Sequence, residues 1–425
     1  MAASETAAQL RANITDISSS IARQRALLKD LEKQKSEAES LLNAVLDPMG
    51  RLPLEIATDI FKQCLPSTPT FDNYKATPAV LTEICRAWRK LAISTPTLWT
   101  SISDAGVPPE KFSSFFRTWG LRTKGLPLSV RLHKSLTAPD QYSLHSFARR
   151  VRTLEVHSPR DGGLRGIAGY RFSDLKSLKV TRCMVDYDWV PFHNARASAR
   201  LLACAPNLEE CTFVNLRFTD DIHSDPTTDV ATPLTHASLK RLQLGASQAP
   251  TYPSDLCSSV ILQYLTLPAL ESLCISDLDI APEDVVSFLT RSSPPLRSLY
   301  LSSEHYEDGE IEHYLRLVPN LTDLDIRYED EFATPLLWVF RDANDLLPNL
   351  RSLTMRGVSV TEADYACVVN ILQNRRETLG RFSLIVDDAD VVIDGPHADV
   401  LHTAVASHRK QGMQVHFGTE DNSRF

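Results

Sequence analysis

The sequence predicts an α/β protein built from an N-terminal coiled-coil helix, a small helical unit and a curved solenoid with a parallel sheet. Two observations carry this prediction. Apolar residues recur at heptad spacing over 5–46, and segments of the form Leu-x-x-Leu-x-Leu, with other apolar residues in place of some leucines, recur from residue 151 onward. The 425 residues are 43% hydrophobic and 23% charged, which is typical of a globular protein.

Composition and charge disfavour several classes of function. The formal net charge of −8 argues against a nucleic-acid binder, which needs clustered Lys and Arg. The N-terminus lacks the basic and apolar regions of a signal peptide, and no apolar run approaches the roughly 18 residues that span a bilayer. The eight cysteines form no Cys-x-x-Cys pair. We therefore expect reduced thiols, a cytoplasmic or nuclear location, and no nucleic-acid or membrane partner.

The first element is a helix over 5–46 with a heptad seam. Its seam positions are Leu10, Ile14, Ile17, Ile21, Leu28, Leu31, Ala38, Leu42 and Val45, with Gln24 and Lys35 in the two remaining places. This spacing predicts a coiled-coil-forming helix, through which residues 5–46 of two copies could self-associate. A single amphipathic helix lying on the next domain remains the alternative.

The second element is a small helical unit that follows the helix stop at Asp47-Pro48 and Gly50. Pro53 is tolerated in a first helical turn, so a helix with an apolar face begins at or just after it. A loop over 65–78 precedes a second amphipathic helix over 79–94, and the segment 95–102 closes the unit. About fifty residues bury little apolar surface alone, so a unit of this size often leans on a partner.

The residue order across 48–101 resembles the F-box motif. The resemblance is carried by Leu52-Pro53-x-Glu55-Ile56, Ile60-Phe61, Leu65-Pro66, Ile84-Cys85, Trp88-Arg89, Leu91-Ala92 and Pro96-x-Leu98-Trp99. It is similar to the version in large fungal families, where a short coiled coil precedes the F-box and leucine-rich repeats follow it.

The resemblance implies that this unit docks on the adaptor Skp1, which links it to a cullin and RING ubiquitin ligase. It assigns adaptor binding to seven residues: Leu52, Pro53, Ile56, Ile60, Phe61, Leu98 and Trp99. For each of them, packing inside the unit is the alternative.

The third element is a leucine-rich-repeat-like solenoid over 126–420. Nine repeat segments have leading positions 151, 175, 208, 239, 270, 296, 321, 350 and 379. Because no strand buries its leucines alone, neighbouring segments must stack as a parallel sheet. Helices are predicted between strands at 281–292, with Pro282 in its first turn, and at 361–375, with Thr361 as N-cap candidate. The strand near 127–133 is expected to start or cap the sheet.

Residues between the buried leucines point to the opposite face of the strands. On a curved solenoid this is the concave face, which such folds use for partners. The strongest candidates for binding a target protein are Tyr300, Asp323, Asp325, Arg327 and Arg356, because aromatics and arginines anchor interfaces well. The alternative is that they form only the solvated side of the sheet.

No catalytic motif is present, and the twelve histidines show no ligand spacing. The glycines of 160–171 and the acidic clusters 329–331 and 387–390 are interpreted as loops and turns. We therefore expect no metal, no cofactor and no enzymatic activity. Two functions remain open: a substrate-recognition subunit of a Skp1–cullin–F-box (SCF) ubiquitin ligase, or a repeat scaffold or assembly factor that never acts in a ligase.

Overall fold

The structure is a computed structural model, and the chain divides into two compact units. The helical unit comprises Met1–Thr100 with Leu121–Lys124, and the sheet unit comprises Ser101–Gly120 with Gly125–Phe425. The residues that the structure describes are 2–46, 49, 52–65, 78–105, 107–133, 144–157, 167, 170–181, 193–214, 218–219, 233–245, 259–276, 281–303, 310–328, 335–343, 345–357, 360, 362–386 and 396–419.

The helical unit begins with helix α1, Ala2–Leu46, close to the predicted 5–46. Its large apolar side chains are exposed by 42–71%. Helix α2, Leu54–Gln63, starts directly after Pro53, whose φ of −52° and ψ of 146° place it outside the helix. A helix thus begins directly after Pro53, as the sequence predicts.

The predicted helix 79–94 is wrong in one respect, because it is two helices. Helix α3 is Pro78–Ile84 and helix α4 is Arg86–Ser94. Cys85 between them is extended, with φ −154° and ψ 172°, and its Sγ accepts a hydrogen bond from the backbone N–H of Trp88 at 3.4 Å. A side-chain cap of this kind restarts a helix. A 3-10 turn, Pro96–Trp99, follows.

The core of the helical unit gathers around Phe61 and Trp99, both fully buried. The Trp99 Nε1–H donates to the Ala92 carbonyl at 2.7 Å, and the guanidinium of Arg122 lies 4.2 Å from the Trp99 ring centroid. The rings of Phe61 and Trp88 have centroids 4.9 Å apart. These contacts join α2, α4 and the 3-10 turn.

The sheet unit is built on twelve parallel strands in sequential order. They are β1 (Ser101–Ser103), β2 (Leu128–Leu132), β3 (Val151–His157), β4 (Ser177–Thr181), β5 (Glu210–Val214), β6 (Arg241–Gly245), β7 (Ser272–Ser276), β8 (Ser298–Ser303), β9 (Asp323–Tyr328), β10 (Ser352–Arg356), β11 (Arg381–Ile385) and β12 (Gln414–Gly418). The sheet is open and curved, with β1 and β12 at its edges, so the predicted solenoid-like α/β fold is confirmed.

Nine of these strands lie where the leucine spacing predicts them. The sheet starts one strand earlier than expected, because Ser101–Ser103 pairs with Leu128–Leu132 and so removes the latter from the edge. The last strand, Gln414–Gly418, was not predicted.

Helices occupy several of the connections between strands. They are α5 (Phe112–Arg122), α6 (Ala195–Ala203), α7 (Pro282–Ser292), α8 (Glu310–Arg316), α9 (Pro335–Asp342), α10 (Glu362–Asn374) and α11 (Pro396–Lys410). Helices α7 and α10 confirm the two predicted ones. The proposed N-cap Thr361, most of the glycine segment 160–171 and both acidic clusters lie outside the described residues. Among the helices described, none is long and apolar enough to cross a membrane.

The core of the sheet unit consists of two rows of side chains that run across the strands. One row runs from Ile102 on β1 to Val415 on β12, with one residue from each strand. The other runs from Leu132 on β2 to Phe417 on β12, and every member of both rows is at most 5% exposed. Beside these rows Gly245 has a φ of +124°, and a Cβ there would overlap the carbonyl of Ser276 on the next strand. Only glycine fits where the backbones approach so closely.

Arginines tie the helices to the turns of the preceding repeat. Arg375, 5% exposed, donates to the carbonyls of Ala343, Leu346 and Leu347 at 3.1, 2.6 and 3.2 Å. Arg291 bonds the Leu262 and Leu265 carbonyls in the same way, at 2.8 and 2.9 Å. Each of these backbone carbonyls thereby gains a charged side-chain donor.

Candidate functional site

The helical unit presents an apolar patch at the start of α2. Leu52 is 38% exposed, Leu54 58% and Ile56 49%, and Pro53 is also exposed. We call these four residues the α2 patch. Ile60, one turn further along α2, is half-buried. A small unit that leaves several large apolar side chains in contact with water has a surface suited to a partner.

Three of the seven predicted adaptor-binding residues do not reach that surface. Phe61 and Trp99 are fully buried and Leu98 is 5% exposed. For these three, the structure favours packing inside the unit, because α2 turns its Phe61 side toward α4 while Ile56 points outward. Leu52, Pro53, Ile56 and Ile60 are the predicted residues that retain exposed surface.

The sheet unit presents a polar face on the side of the strands opposite the two buried rows, formed by the residues that alternate with the rows along each strand. Strand register places Cys274, Tyr300, Asp325 and Thr354 side by side on neighbouring strands. A second line on the same face holds Ser302, Arg327 and Arg356. Adjacent strands lie about 4.8 Å apart, so these side chains are immediate neighbours.

The five predicted target-binding residues therefore come together on β8, β9 and β10. Asp323 is exposed, while Tyr300, Asp325, Arg327 and Arg356 are partly exposed. Arg356 grips Asp325 with two nitrogens: Nε lies 3.1 Å from Oδ1, and Nη2 lies 3.2 Å from Oδ2. We call these five residues the sheet-face cluster. Its geometry is that of a paired, pre-positioned polar surface with one aromatic ring.

Burial, together with the nearby carboxylate of Asp325, raises the pKa of Tyr300 in the cluster and of Cys274 on the neighbouring strand. Partial burial raises the pKa of Tyr300, and the carboxylate of Asp325 adds to this while Arg327 opposes it. Burial, again with Asp325, raises the pKa of Cys274 to about 11. A thiol with a raised pKa is a poor nucleophile at neutral pH, so the cluster offers contacts and hydrogen bonds, not an activated sulfur.

A second polar network, outside the five residues predicted as the strongest candidates for target binding, lies on the same face at β2, β3 and β4. The carboxylate of Glu155 lies 2.6 Å from Arg131 Nε, 3.0 Å from His157 Nε2 and 3.8 Å from Lys179 Nζ. The hydrogen bond from His157 is the main cause that lowers the pKa of Glu155 to about 2, and Arg131 adds to it.

The Glu155 network extends to the edge of the sheet through stacked rings. The ring of His133 stacks on the ring of His157 with centroids 4.6 Å apart, and the backbone N–H of His133 donates to the buried Asp104 carboxylate at 2.6 Å. The sequence signal for this network is the alternation of charge at equivalent positions of successive strands: Arg131, Glu155 and Lys179. To predict the network from this signal one needs the strand register, which the spacing of the repeats alone does not give.

The described residues contain no group of three or more His, Cys, Asp or Glu side chains placed to hold a metal ion. The six cysteines in the described ranges are thiols. Burial raises the pKa of Cys211 as well as that of Cys274. The surfaces that stand out in the described part of the chain are thus the α2 patch and the polar face of the sheet.

Comparisons with known proteins leave the function to be argued from these surfaces. No family model matches the chain, and no curated protein matches it. Among the solved structures that match is a crystal structure of a Bacteroides fragilis protein from the Northeast Structural Genomics Consortium. It is 13% identical, with a TM-score of 0.36, over 72% of this chain and 78% of that chain. A likeness at this TM-score carries no argument about function.

Proposed function

We propose that this protein is the substrate-recognition subunit of an SCF-type E3 ubiquitin ligase. In this proposal the helical unit docks the adaptor Skp1 through the α2 patch, and the sheet-face cluster binds a target protein. In this proposal the catalytic residues belong to other subunits of the ligase. The substrate-recognition subunit holds the target near the transfer chemistry of those subunits and so contributes proximity and orientation.

The observation that carries the proposal is the α2 patch. The F-box resemblance assigns Leu52, Pro53 and Ile56 to the adaptor, and these residues keep substantial exposed surface while Phe61 and Trp99 form the core beneath. Burying an apolar side chain of this size stabilises a complex by about 1–2 kcal/mol, so a few of them can anchor an interface.

The sheet-face cluster supports the second half of the proposal. The Arg356–Asp325 pair fixes both side chains before any target arrives, which lowers the entropy lost on binding. Tyr300 beside this pair supplies the aromatic contact that protein interfaces favour.

The adaptor half is tested by co-purifying the full chain with Skp1. We expect a stable complex, and we expect Leu52→Ala/Pro53→Ala to weaken it by about 10-fold or more, because anchor residues in the interface are lost. Ile93→Ala is the matched control, since Ile93 has a similar exposure of 40% but lies on α4 and is not one of the four patch residues. Undiminished binding by the double variant would remove the docking role from α2.

The ligase half requires a separate readout. Purified complexes are probed for cullin and RING subunits, and a target captured by the full chain is assayed for ubiquitylation. Capture should fall with Tyr300→Ala/Arg356→Ala while Skp1 binding stays constant. A complex that holds Skp1 and never cullin contradicts the ligase assignment.

The alternative is an interaction scaffold or assembly factor outside any ligase. The exposed apolar stripe of α1 favours it, because that stripe offers a second docking surface. Failure to bind Skp1, together with target capture through the sheet face, is the outcome that selects the scaffold.

A further inference from the structure

Helix α1 carries an exposed apolar seam along its whole length. Seam residues such as Leu10, Ile14, Leu28 and Leu42 are 57–63% exposed. Two residues outside the seam, Leu27 and Leu41, are 60% and 71% exposed and widen it on one flank. A seam of this length at heptad spacing is what a second helix covers in a coiled coil.

From this seam we propose that two copies of this chain pair through α1 as an antiparallel coiled coil. The proposal goes beyond the ligase function and does not depend on it. The two possible orientations of the pair differ in which seam residues face each other.

In a parallel dimer, each seam residue meets its own copy. Lys35 would then face Lys35 of the second copy, Gln24 would face Gln24, and Ala38 would face Ala38. The first contact brings two like charges together in the seam, the second buries two amides, and the third leaves a gap between two small side chains. All three are unfavourable.

In an antiparallel dimer, each seam residue meets a different one. The register that overlaps the whole seam places Leu10 opposite Leu42 of the second copy. The same register sets Ala38 opposite Ile14, Lys35 opposite Ile17 and Gln24 opposite Leu28. Each weak seam residue then packs against a large apolar partner, and the Lys35 stem lies along Ile17 while its ammonium reaches water.

The flanks of the seam agree with this register. On one flank Arg11 lies opposite Glu39 of the second copy, and this opposite-charge contact occurs twice in the dimer. On the other flank Leu27 meets Leu27 at the centre, which buries an exposed leucine on each helix. One like-charge contact, Arg25 with Arg25, opposes them. In the parallel register the corresponding flank positions pair no opposite charges.

The first test measures the molar mass of the full chain by sedimentation equilibrium. We expect a dimer, and we expect Ile21→Asp to yield a monomer because it places a charge in the seam. Ala22→Asp is the control, since residue 22 lies next to Ile21 but outside the seam. A monomer at about 100 μM, where a dimer of micromolar affinity would be mostly assembled, overturns the proposal.

The second test fixes the orientation by charge exchange. Arg11→Glu and Glu39→Arg should each weaken the dimer by about fivefold, and the double variant should restore it to within about twofold, because two pairs per dimer are re-formed. A parallel dimer keeps residues 11 and 39 far apart. Single variants without effect, or a double variant whose losses add, overturn the antiparallel arrangement.

Discussion

The two units of this protein use their apolar residues in opposite ways. In the sheet unit, the two rows of inward side chains are at most 5% exposed on every strand. In the helical unit, α1 leaves its seam in contact with water and α2 leaves Leu54 58% exposed beside Ile56 at 49%. The strands of the sheet unit thus bury their inward apolar residues within the unit, whereas the helical unit buries its apolar residues only in part.

This difference has a physical origin. A repeated strand buries its leucines against the next repeat, so the core of a solenoid grows with its length. The part of the helical unit that follows α1, about fifty residues, has too high a ratio of surface to volume to do the same. Exposed apolar residues are therefore concentrated where an added helix or a partner can cover them.

The sharpest test of the comparison lies within α2. Phe61→Ala should destabilise the helical unit by about 4 kcal/mol, because it removes a fully buried ring that contacts Trp88. Ile56→Ala, on the same helix but exposed, should change stability by no more than about 0.5 kcal/mol. Hydrogen exchange of the α2 and α4 amides reports the stability of this unit by itself. Comparable losses in both variants would mean that the α2 patch belongs to the core.

In the sheet unit, stability also depends on a buried charge. Arg375→Met should cost about 3 kcal/mol, because three hydrogen bonds from the guanidinium are lost while the site remains buried, and the Leu346 carbonyl is left without the donor that the arginine supplied. Arg376→Met is the matched control, since the neighbouring Arg376 is exposed and pairs only loosely with Glu377 at 3.8 Å. Urea unfolding followed by circular dichroism measures both. A loss below about 1 kcal/mol for Arg375→Met would show that the fold does not depend on these three hydrogen bonds.

Sequence spacing predicted the sheet far better than the contacts on it. Nine strands follow from the leucine period because a strand that stacks on its neighbours must repeat its apolar positions. Strands β1 and β12 were not predicted because neither of their sequences, SIS and QVHFG, carries the leucine pattern. The break between α3 and α4 was not predicted because Cys85 lies within an apolar stripe. Strand order, not spacing, then determines which side chains meet.

The same distinction applies to the candidate sites. The sheet-face cluster was predictable as a set because uniform register brings equivalent positions of β8, β9 and β10 together. The ion pair between Arg356 and Asp325 was not predictable, since the two residues are 31 positions apart in the sequence. In the helical unit, the motif could not distinguish Phe61 from Ile56, because both are apolar residues of one helix and only the packing separates them.

The smallest effect concerns the polar face and depends on pH. Glu155 has a pKa lowered to about 2, so its ion pairs stabilise the fold above the unfolded value of 4.5, and this contribution is lost as pH falls toward 2. Glu155→Gln should therefore destabilise the protein by about 2 kcal/mol at pH 7. The gap between the wild type and the variant should narrow as pH falls below about 4.5, as measured by urea unfolding at several pH values.

Glu209→Gln serves as the control for that pH series. Its carboxylate also pairs with a lysine, Lys176, at 2.6 Å, but the pair is exposed to solvent, so its removal should change stability little at any pH. If the gap for Glu155→Gln stayed constant from pH 7 to pH 3, the Glu155 carboxylate would not be the stabilising group. The polar face would then act only as a solvated surface, and the contrast between the two units would rest on their apolar residues alone.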